Sequence, residues 1–431
     1  MEPVSDSLLY LVIIWLGVYV AVICARKTRL TPVLYFLAVG AVLVNLGILP
    51  TDTGPFIGGL ADIGIVLIMF ALGFEENTAN FLKSVKRSWG IALFGAVAPF
   101  FTAWYLSLLF WDDRNIALMC GLAMTATAVS LTMVSLKNEG LERSVAATGI
   151  MTSAVLDDIA ALALVAVLVP MATGDIGPGP GAILWVIGKA LLFFLLVSVI
   201  GTWIFPPLEA SFLSRLPLIG RLRLGRFGIR NLLLFSNGDY AVLTVLTLAL
   251  GIGLIAQGFG FHPAVGAYMA GLVLREEYFG ASTGNTDSTG DAGNGLYQDT
   301  RRIVESAAFA WIGPVFFVHL GTRIVFDWDI FVAVIPETVA LTAALMAAQI
   351  SSAALAARYT GHFTGAQSMM IGFGMLGRAE LAFVIMDIAY VQHPILNPES
   401  FYTLMFTAFW LNVSVPITIA WWKPRYAGIK R

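Results

Sequence analysis

The sequence predicts an all-α polytopic membrane protein, and three observations support this fold class. Hydrophobic residues make up 58% of the 431 residues and charged residues only 12%, whereas globular domains average about 25% charged residues. Apolar stretches long enough to cross a bilayer recur along the chain, and the basic residues concentrate in alternate loops. The net charge of −2 argues against a nucleic-acid partner.

The apolar stretches predict the number of crossings. A helix needs about 20 mainly apolar residues to cross the hydrocarbon core of a membrane. Thirteen such segments begin near Ser7, Thr31, Phe56, Ser88, Arg114, Ser144, Gly181, Asn231, Phe261, Ile303, Ile330, Gly365 and Ser400. We therefore expect about thirteen transmembrane helices, of which the ninth is short.

The distribution of Lys and Arg supports this count. With thirteen crossings, 21 of the 25 basic residues fall on one side of the membrane, and only Arg114 and Arg323 fall on the other. The side rich in Lys and Arg is normally cytoplasmic. The sequence thus predicts a multi-pass protein of the cell (inner) membrane, with its N-terminus outside and its C-terminus in the cytoplasm.

Two adjacent carboxylates, Asp157 and Asp158, lie in the middle of the apolar sixth segment. Charged residues at membrane depth are costly and are functional candidates by default. Neighbours on a helix point about 100° apart, so one carboxylate can face a cavity while the other turns toward a partner helix. A carboxylate in a partly dry cavity readily holds a proton, and its oxygens can instead bind a cation. One group that binds either ion is the minimum that an ion exchanger needs.

The fifth and twelfth segments contain residues that weaken a helix at mid-depth. The fifth carries the hydroxyl-rich run MTATAVSLT, in which Thr125 and Thr127 can supply oxygen ligands if the helix opens. The twelfth combines three glycines with Arg378 and Glu380. Unwound backbone is tolerated in a membrane only where it is buried in protein or lines a cavity. Ordinary packing by hydroxyls and glycines, with a structural ion pair, remains the alternative interpretation.

These two segments are seven apart, so they cross the membrane in opposite directions. Segments four to six and eleven to thirteen would then form an inverted repeat, each half with an irregular middle helix. Paired interrupted helices in matching positions of inverted halves indicate a transporter site.

Six motifs in order resemble those of a known family. They are LADIGIVLIMFALGFEEN (60–77), TATAVSLTMVSLKNEG (125–140), AVLDDIAAL (154–162), GFHPAVGAYMAGLVL (260–274), GPVFFVHLGTRIVFD (313–327) and GMLGRAELAFVI (374–385). Together they resemble the second cation:proton antiporter family, which contains bacterial sodium/proton exchangers and glutathione-gated potassium efflux systems. The resemblance extends over nearly the whole chain.

The resemblance implies an inverted-repeat antiporter fold in which two broken helices cross. It implies a core bundle at about 88–170 and 330–422, a dimerisation bundle mainly at 7–75 and 231–325, and a linking helix at about 181–204. It also implies homodimers whose core moves like an elevator. Asp158 would be the main ion and proton carrier, Asp157 its neighbour, and Thr127 would line the crossing. Thr125, Gln349, Arg378 and Glu380 would support the core.

One position departs from the family pattern. Electrogenic members with an Asp-Asp pair usually carry a lysine on the eleventh segment, and Gln349 stands there in this chain. Because glutamine cannot carry charge, Asp157 lacks that partner, although Arg378 or Lys189 could substitute. We therefore expect exchange of one cation for one proton without net charge movement.

The transported cation stays open between sodium (or lithium) and potassium. The Asp-Asp pair favours sodium, because the potassium systems usually show Gln-Asp and a C-terminal nucleotide-binding domain. A K+/H+ antiporter of the same family and an ion-coupled solute transporter or channel are the alternatives. In each case we expect transport of ions across the bilayer, with no enzyme activity and no cofactor beyond the transported Na+ or K+ and H+.

Overall fold

The protein is built from helices. A computed structural model describes residues 4–28, 30–75, 78–141, 144–173, 180–199, 229–274, 276–279, 290–378 and 380–427. The α-helices in these ranges are α1 (Val4–Thr28), α2 (Pro32–Asn45), α3 (Gly54–Glu75), α4 (Thr78–Trp111), α5 (Arg114–Ala123), α6 (Val129–Asn138), α7 (Val145–Ala172), α8 (Pro180–Val199), α9 (Ile229–Leu233), α10 (Ala241–Gly258), α11 (Pro263–Val273), α12 (Gly290–Ser306), α13 (Gly313–Gly321), α14 (Trp328–Ala333), α15 (Ile335–Tyr359), α16 (Gly365–Gly374), α17 (Glu380–Asp387) and α18 (Pro398–Ala427). The all-α prediction is confirmed.

Each of the thirteen predicted segments overlaps at least one of these helices. Within the described residues, seven helical stretches are long and apolar enough to cross a membrane: Asp6–Thr28, Gly54–Phe74, Ser88–Trp111, Ala241–Gly258, Gly295–Gly321, Ile335–Tyr359 and Pro398–Tyr426. The count of thirteen crossings stays a prediction. The predicted fifth and twelfth segments each consist of two short helices, α5 with α6 and α16 with α17.

Large apolar side chains face outward along the long helices. Leu16 of α1 is 62% exposed, Leu254 of α10 is 66% exposed and Val339 of α15 is 62% exposed. Soluble proteins rarely expose extended apolar surface of this kind. Lipid is the environment that such a surface fits.

Short polar side chains fix where several helices begin. The Asp113 carboxylate accepts hydrogen bonds from the backbone N–H groups of Asn115 and Ile116 at the start of α5. Thr364 and Gln367 form a reciprocal capping box at the start of α16. These contacts satisfy backbone donors that have no partner within the first turn of a helix.

The chain folds into two compact units. The first contains Met1–Ile57, Ala79–Ile183 and Phe317–Arg431, and the second contains Gly58–Thr78 and Leu184–Phe316. The predicted core and dimerisation bundles are a different division, based on which part moves and which part forms the dimer. That division stays a prediction. Residues 200–204 of the predicted linking helix lie outside the described residues.

Glycines let α3 and α11 pack closely within the second unit. A Cβ atom at Gly271 of α11 would lie 2.4 Å from the carbonyl oxygen of Phe70 and 2.5 Å from the backbone nitrogen of Phe74. A Cβ atom at Gly73 of α3 would lie 2.1 Å from the carbonyl oxygen of Tyr268. Small residues at such contacts let helix backbones approach each other in membranes.

We expect Gly271→Ala to destabilise the protein, because the added methyl group meets backbone atoms that cannot rotate away. Overpacking of this kind typically costs about 1–3 kcal/mol. Thermal unfolding in detergent should show a lower Tm than for the native protein. Gly251→Ala is the matched control, since a Cβ atom at Gly251 would meet no atom within 4 Å. An equal Tm for the two variants would contradict the close packing of α3 and α11.

Candidate functional site

Two broken helices meet inside the first unit. The helix of the fifth segment opens between α5 and α6, and that of the twelfth opens between α16 and α17. Thr127 and Arg378, one from each opening, form an antiparallel bridge. The N–H of Ala128 donates a hydrogen bond of 2.9 Å to the carbonyl oxygen of Gly377. Each unwound segment thereby supplies backbone partners for the other.

Hydroxyl groups of the TATAVSLT run stabilise this opening. Thr125 Oγ1 donates to the Gly121 carbonyl of its own helix at 2.9 Å. Thr132 Oγ1 lies 3.0 Å from the carbonyl oxygen of Ala128 and 2.6 Å from that of Gly374. Gly374 is the last residue of α16, where carbonyl groups lack partners within the helix. Thr132 of one broken helix thus caps the end of the other.

Asp157 of α7 lies at this crossing. Its side chain is fully buried, and its Oδ2 accepts a hydrogen bond of 2.8 Å from Thr127 Oγ1. Its Oδ1 has no hydrogen-bond partner among the described residues. The side chain of Asp158 lies outside the described part of the structure.

Arg378 places a second charge at the crossing. Its side chain is 1% exposed, and its Nη2 donates a hydrogen bond of 3.1 Å to Gln349 Oε1 on α15. Gln349 Nε2 in turn donates to the Gly95 carbonyl of α4 at 3.1 Å. Nε and Nη1 of Arg378 have no hydrogen-bond partner among the described residues. The guanidinium is therefore held through Nη2, and two of its nitrogen atoms have no hydrogen-bond partner among the described residues.

Asn412 of α18 is a site residue that the sequence did not indicate. Its Oδ1 accepts from the N–H of Arg378 at 3.0 Å, and its Nδ2 donates to the carbonyl oxygen of Arg378 at 3.3 Å. Asn412 is fully buried. The only signal for it in the sequence is an amide in the middle of the apolar run FTAFWLNVSVP.

The structure brings together four of the predicted site residues, namely Thr127, Asp157, Gln349 and Arg378.

Of the predicted supporting residues, Thr125 bonds within its own helix, and Glu380 is a half-buried residue at the start of α17. Lys189, the alternative to Arg378 as a substitute for lysine, belongs to the second unit. In the first unit, Arg378 occupies the place next to Gln349.

The ends of four half-helices also meet at this site. The C-termini of α5 and α16 carry partial negative charge, and the N-termini of α6 and α17 carry partial positive charge. A buried carboxylate oxygen without a partner can accept a proton or contribute a ligand to a small cation. The fold and this site define a polytopic membrane transporter with paired broken helices.

Comparison with known proteins identifies the family. Residues 11–422 match the family described as sodium/hydrogen exchanger, transmembrane. An Na(+)/H(+) antiporter of Enterococcus hirae is 23% identical over 400 residues, which cover 92% of each chain. The Na(+)/H(+)-K(+) antiporter GerN of Bacillus cereus is 26% identical over 76% of this chain and 73% of its own. The chain belongs to the sodium/hydrogen exchanger family, as its six motifs predicted, and it is a multi-pass membrane protein.

A solved structure has the same fold. The sodium proton antiporter MjNhaP1 from Methanocaldococcus jannaschii superimposes with a TM-score of 0.64 over 96% of each chain, at 14% sequence identity. The predicted antiporter fold is thereby confirmed.

We expect Gln349→Leu to lower thermal stability, because it removes the hydrogen-bond acceptor of a buried guanidinium. A hydrogen bond to a charged group contributes about 1.5–3 kcal/mol. The measurement is Tm in detergent for purified variant and native protein. Gln257→Leu makes the same chemical change at an exposed residue of α10 and should leave Tm nearly unchanged. If both variants unfold at the native temperature, the bond between Gln349 and Arg378 has no energetic importance.

Proposed function

We propose that this protein exchanges Na+ (or Li+) for H+ across the cell membrane, and that both ions compete for the carboxylates of Asp157 and Asp158. The observation that carries this proposal is the buried Asp157 at the crossing of two broken helices, with Oδ1 open and Oδ2 bonded to Thr127. Membership of the sodium/hydrogen exchanger family supports it. The names of the relatives from Enterococcus hirae and Bacillus cereus point to the same ions.

Competition follows from the charge of a carboxylate. A proton neutralises it, and a bound cation balances it, so either ion removes the cost of a buried negative charge. Both cannot occupy one oxygen pair at once, so uptake of one ion drives release of the other. Asp158 is the main carrier in this proposal, and Asp157, held by Thr127, fixes the geometry of the pair.

Alternating access in this proposal moves the crossing as one body. Thr127, Ala128, Gly377 and Arg378 are joined through backbone pairing, so the two broken helices would move together. A rigid displacement of the core bundle, as in an elevator, would carry the site from one side to the other. We propose that the predicted dimerisation bundle, mainly 7–75 and 231–325, forms the fixed contact in a homodimer, with the N-terminus outside and the C-terminus in the cytoplasm.

Arg378 supports electroneutral exchange. A guanidinium keeps its proton under physiological conditions, so Arg378 balances a carboxylate at the crossing without taking part in proton transfer. A lysine at the position of Gln349 could release its proton when a cation binds, and glutamine cannot. We therefore propose a ratio of one cation to one proton.

The main test uses proteoliposomes with an acidic interior and a pH-sensitive dye. Adding Na+ or Li+ outside should dequench the dye for the native protein. Asp158→Asn and Asp157→Asn should fall to the signal of empty liposomes, because an amide neither binds a proton nor balances a cation. Asp387→Asn is the matched control, since Asp387 is also buried but bonds to Gln392 outside the crossing.

The cation that dequenches the dye decides between the two candidate functions. A response to K+ alone would establish K+/H+ antiport, the second candidate; K+ appears beside Na+ in the name of the GerN relative. Full activity of Asp158→Asn would refute the carboxylate site. Absence of any response would favour the coupled transport of an organic solute.

Electroneutrality has its own measurement. With sodium and proton gradients fixed, we expect the exchange rate to be the same at imposed inside-negative and inside-positive voltages, because the transported charges cancel. Potassium gradients with valinomycin set the voltage, after K+ itself has been excluded as a substrate. A reversal point that moves with voltage would exclude the ratio of one to one.

A further inference from the structure

Besides its bridge to Thr127, the backbone of Arg378 makes hydrogen bonds that the proposed function does not explain. In an antiparallel pair, residues alternate between positions that bond to the partner strand and positions whose N–H and C=O point away from it. The bond from Ala128 N–H to the Gly377 carbonyl puts Arg378 at a position of the second kind. In a sheet, a third strand would take up those two groups.

Here Asn412 takes them up. We propose that Asn412 is a positioning residue, whose carboxamide replaces the missing third strand and holds Arg378 in place at the crossing. The two groups of the amide match the two groups of the backbone: Oδ1 accepts from the N–H at 3.0 Å, and Nδ2 donates to the carbonyl oxygen at 3.3 Å. The N–H of Asn412 lies in the interior of α18 and is directed along the helix, so the donor to the Arg378 carbonyl oxygen comes from the side chain.

Gly377 gives independent support for this contact. A Cβ atom at Gly377 would lie 3.1 Å from Asn412 Oδ1 and 3.1 Å from the Cβ atom of Ala128. A side chain at residue 377 would collide with the amide of Asn412 and with Ala128 of the other broken helix. The absence of a side chain at residue 377 thus lets Asn412 and Ala128 approach the same short segment from opposite sides.

The consequence for transport rests on the proposed function. The position of the Arg378 backbone sets where its guanidinium lies relative to Gln349. The antiparallel bridge to Arg378 also sets the position of Thr127, which donates a hydrogen bond to Asp157. Asn412 therefore acts on the ion site through Arg378, without touching the ion. Loss of the amide should weaken cation binding more than it weakens the fold.

The side chains available at residue 412 separate the two halves of the contact. Leucine has nearly the same shape as asparagine but neither polar group. Aspartate keeps the acceptor for the Arg378 N–H and loses the donor to the carbonyl. Glutamine keeps both groups on a side chain longer by one methylene. Thr407→Val is the matched control, because Thr407 is equally buried on α18 and its hydroxyl has no hydrogen-bond partner among the described residues.

The experiment measures two quantities on the full-length native protein and on Asn412→Leu. The first is hydrogen–deuterium exchange of the peptide that contains Arg378, which should be faster in the variant, whereas peptides of α10 should be unchanged.

The second is the Na+ concentration for half-maximal exchange in proteoliposomes, compared at equal amounts of folded protein and across pH. It should rise at least about tenfold, the equivalent of one buried hydrogen bond. Asn412→Gln should recover part of this loss, and Thr407→Val should match the native protein.

Each result decides the proposal. The proposal is overturned if Asn412→Leu has the native rate of hydrogen–deuterium exchange at the Arg378 peptide and also the native Na+ concentration for half-maximal transport. Faster exchange at that peptide with native half-saturation and pH profile would make Asn412 a structural residue and would also overturn it. If Asn412→Leu does not fold, Asn412→Asp is judged by the same two criteria. If the native protein transports no cation, the proposed function fails. The hydrogen-exchange comparison still decides whether Asn412 holds the backbone of Arg378 in place.

Discussion

Unwound backbone inside a bilayer must find all its hydrogen-bond partners within the protein, and the structure of the first unit follows from that constraint. Two helices open within their length, and the two open segments pair with each other through Thr127, Ala128, Gly377 and Arg378. Side chains supply further partners for this backbone, from Thr132 at the end of α16 and from Asn412 beside Arg378. Each broken helix thus gains backbone or side-chain partners from the other.

The same opening explains why two charges can be buried together. Asp157 is held by a hydroxyl of one open segment, and Arg378 belongs to the other. An isolated buried charge would be costly, whereas charges of opposite sign beside the partial charges of helix ends offset part of that cost. Each of the two charged groups keeps at least one atom without a hydrogen-bond partner among the described residues.

The sequence predicted the class of site because membranes make the relevant residues conspicuous. Asp157, Asp158 and Arg378 stand out as charges within apolar segments, and the TATAVSLT run stands out by its hydroxyls. Gln349 was found only as a departure from a family pattern. Asn412 was not found, since one amide in a long apolar helix usually indicates ordinary helix packing.

Hydropathy, charge and glycine content act locally along the chain, so the all-α membrane fold, the family and the segments that break can be predicted from the sequence. Which groups meet at the crossing depends on how the helices pack. Gln349 and Asn412 lie 29 and 34 residues from Arg378 in the chain, and Thr127 lies 30 residues from Asp157. A hydrogen bond depends on the position of two atoms to within a few tenths of an ångström, and helix packing fixes that position where sequence spacing cannot.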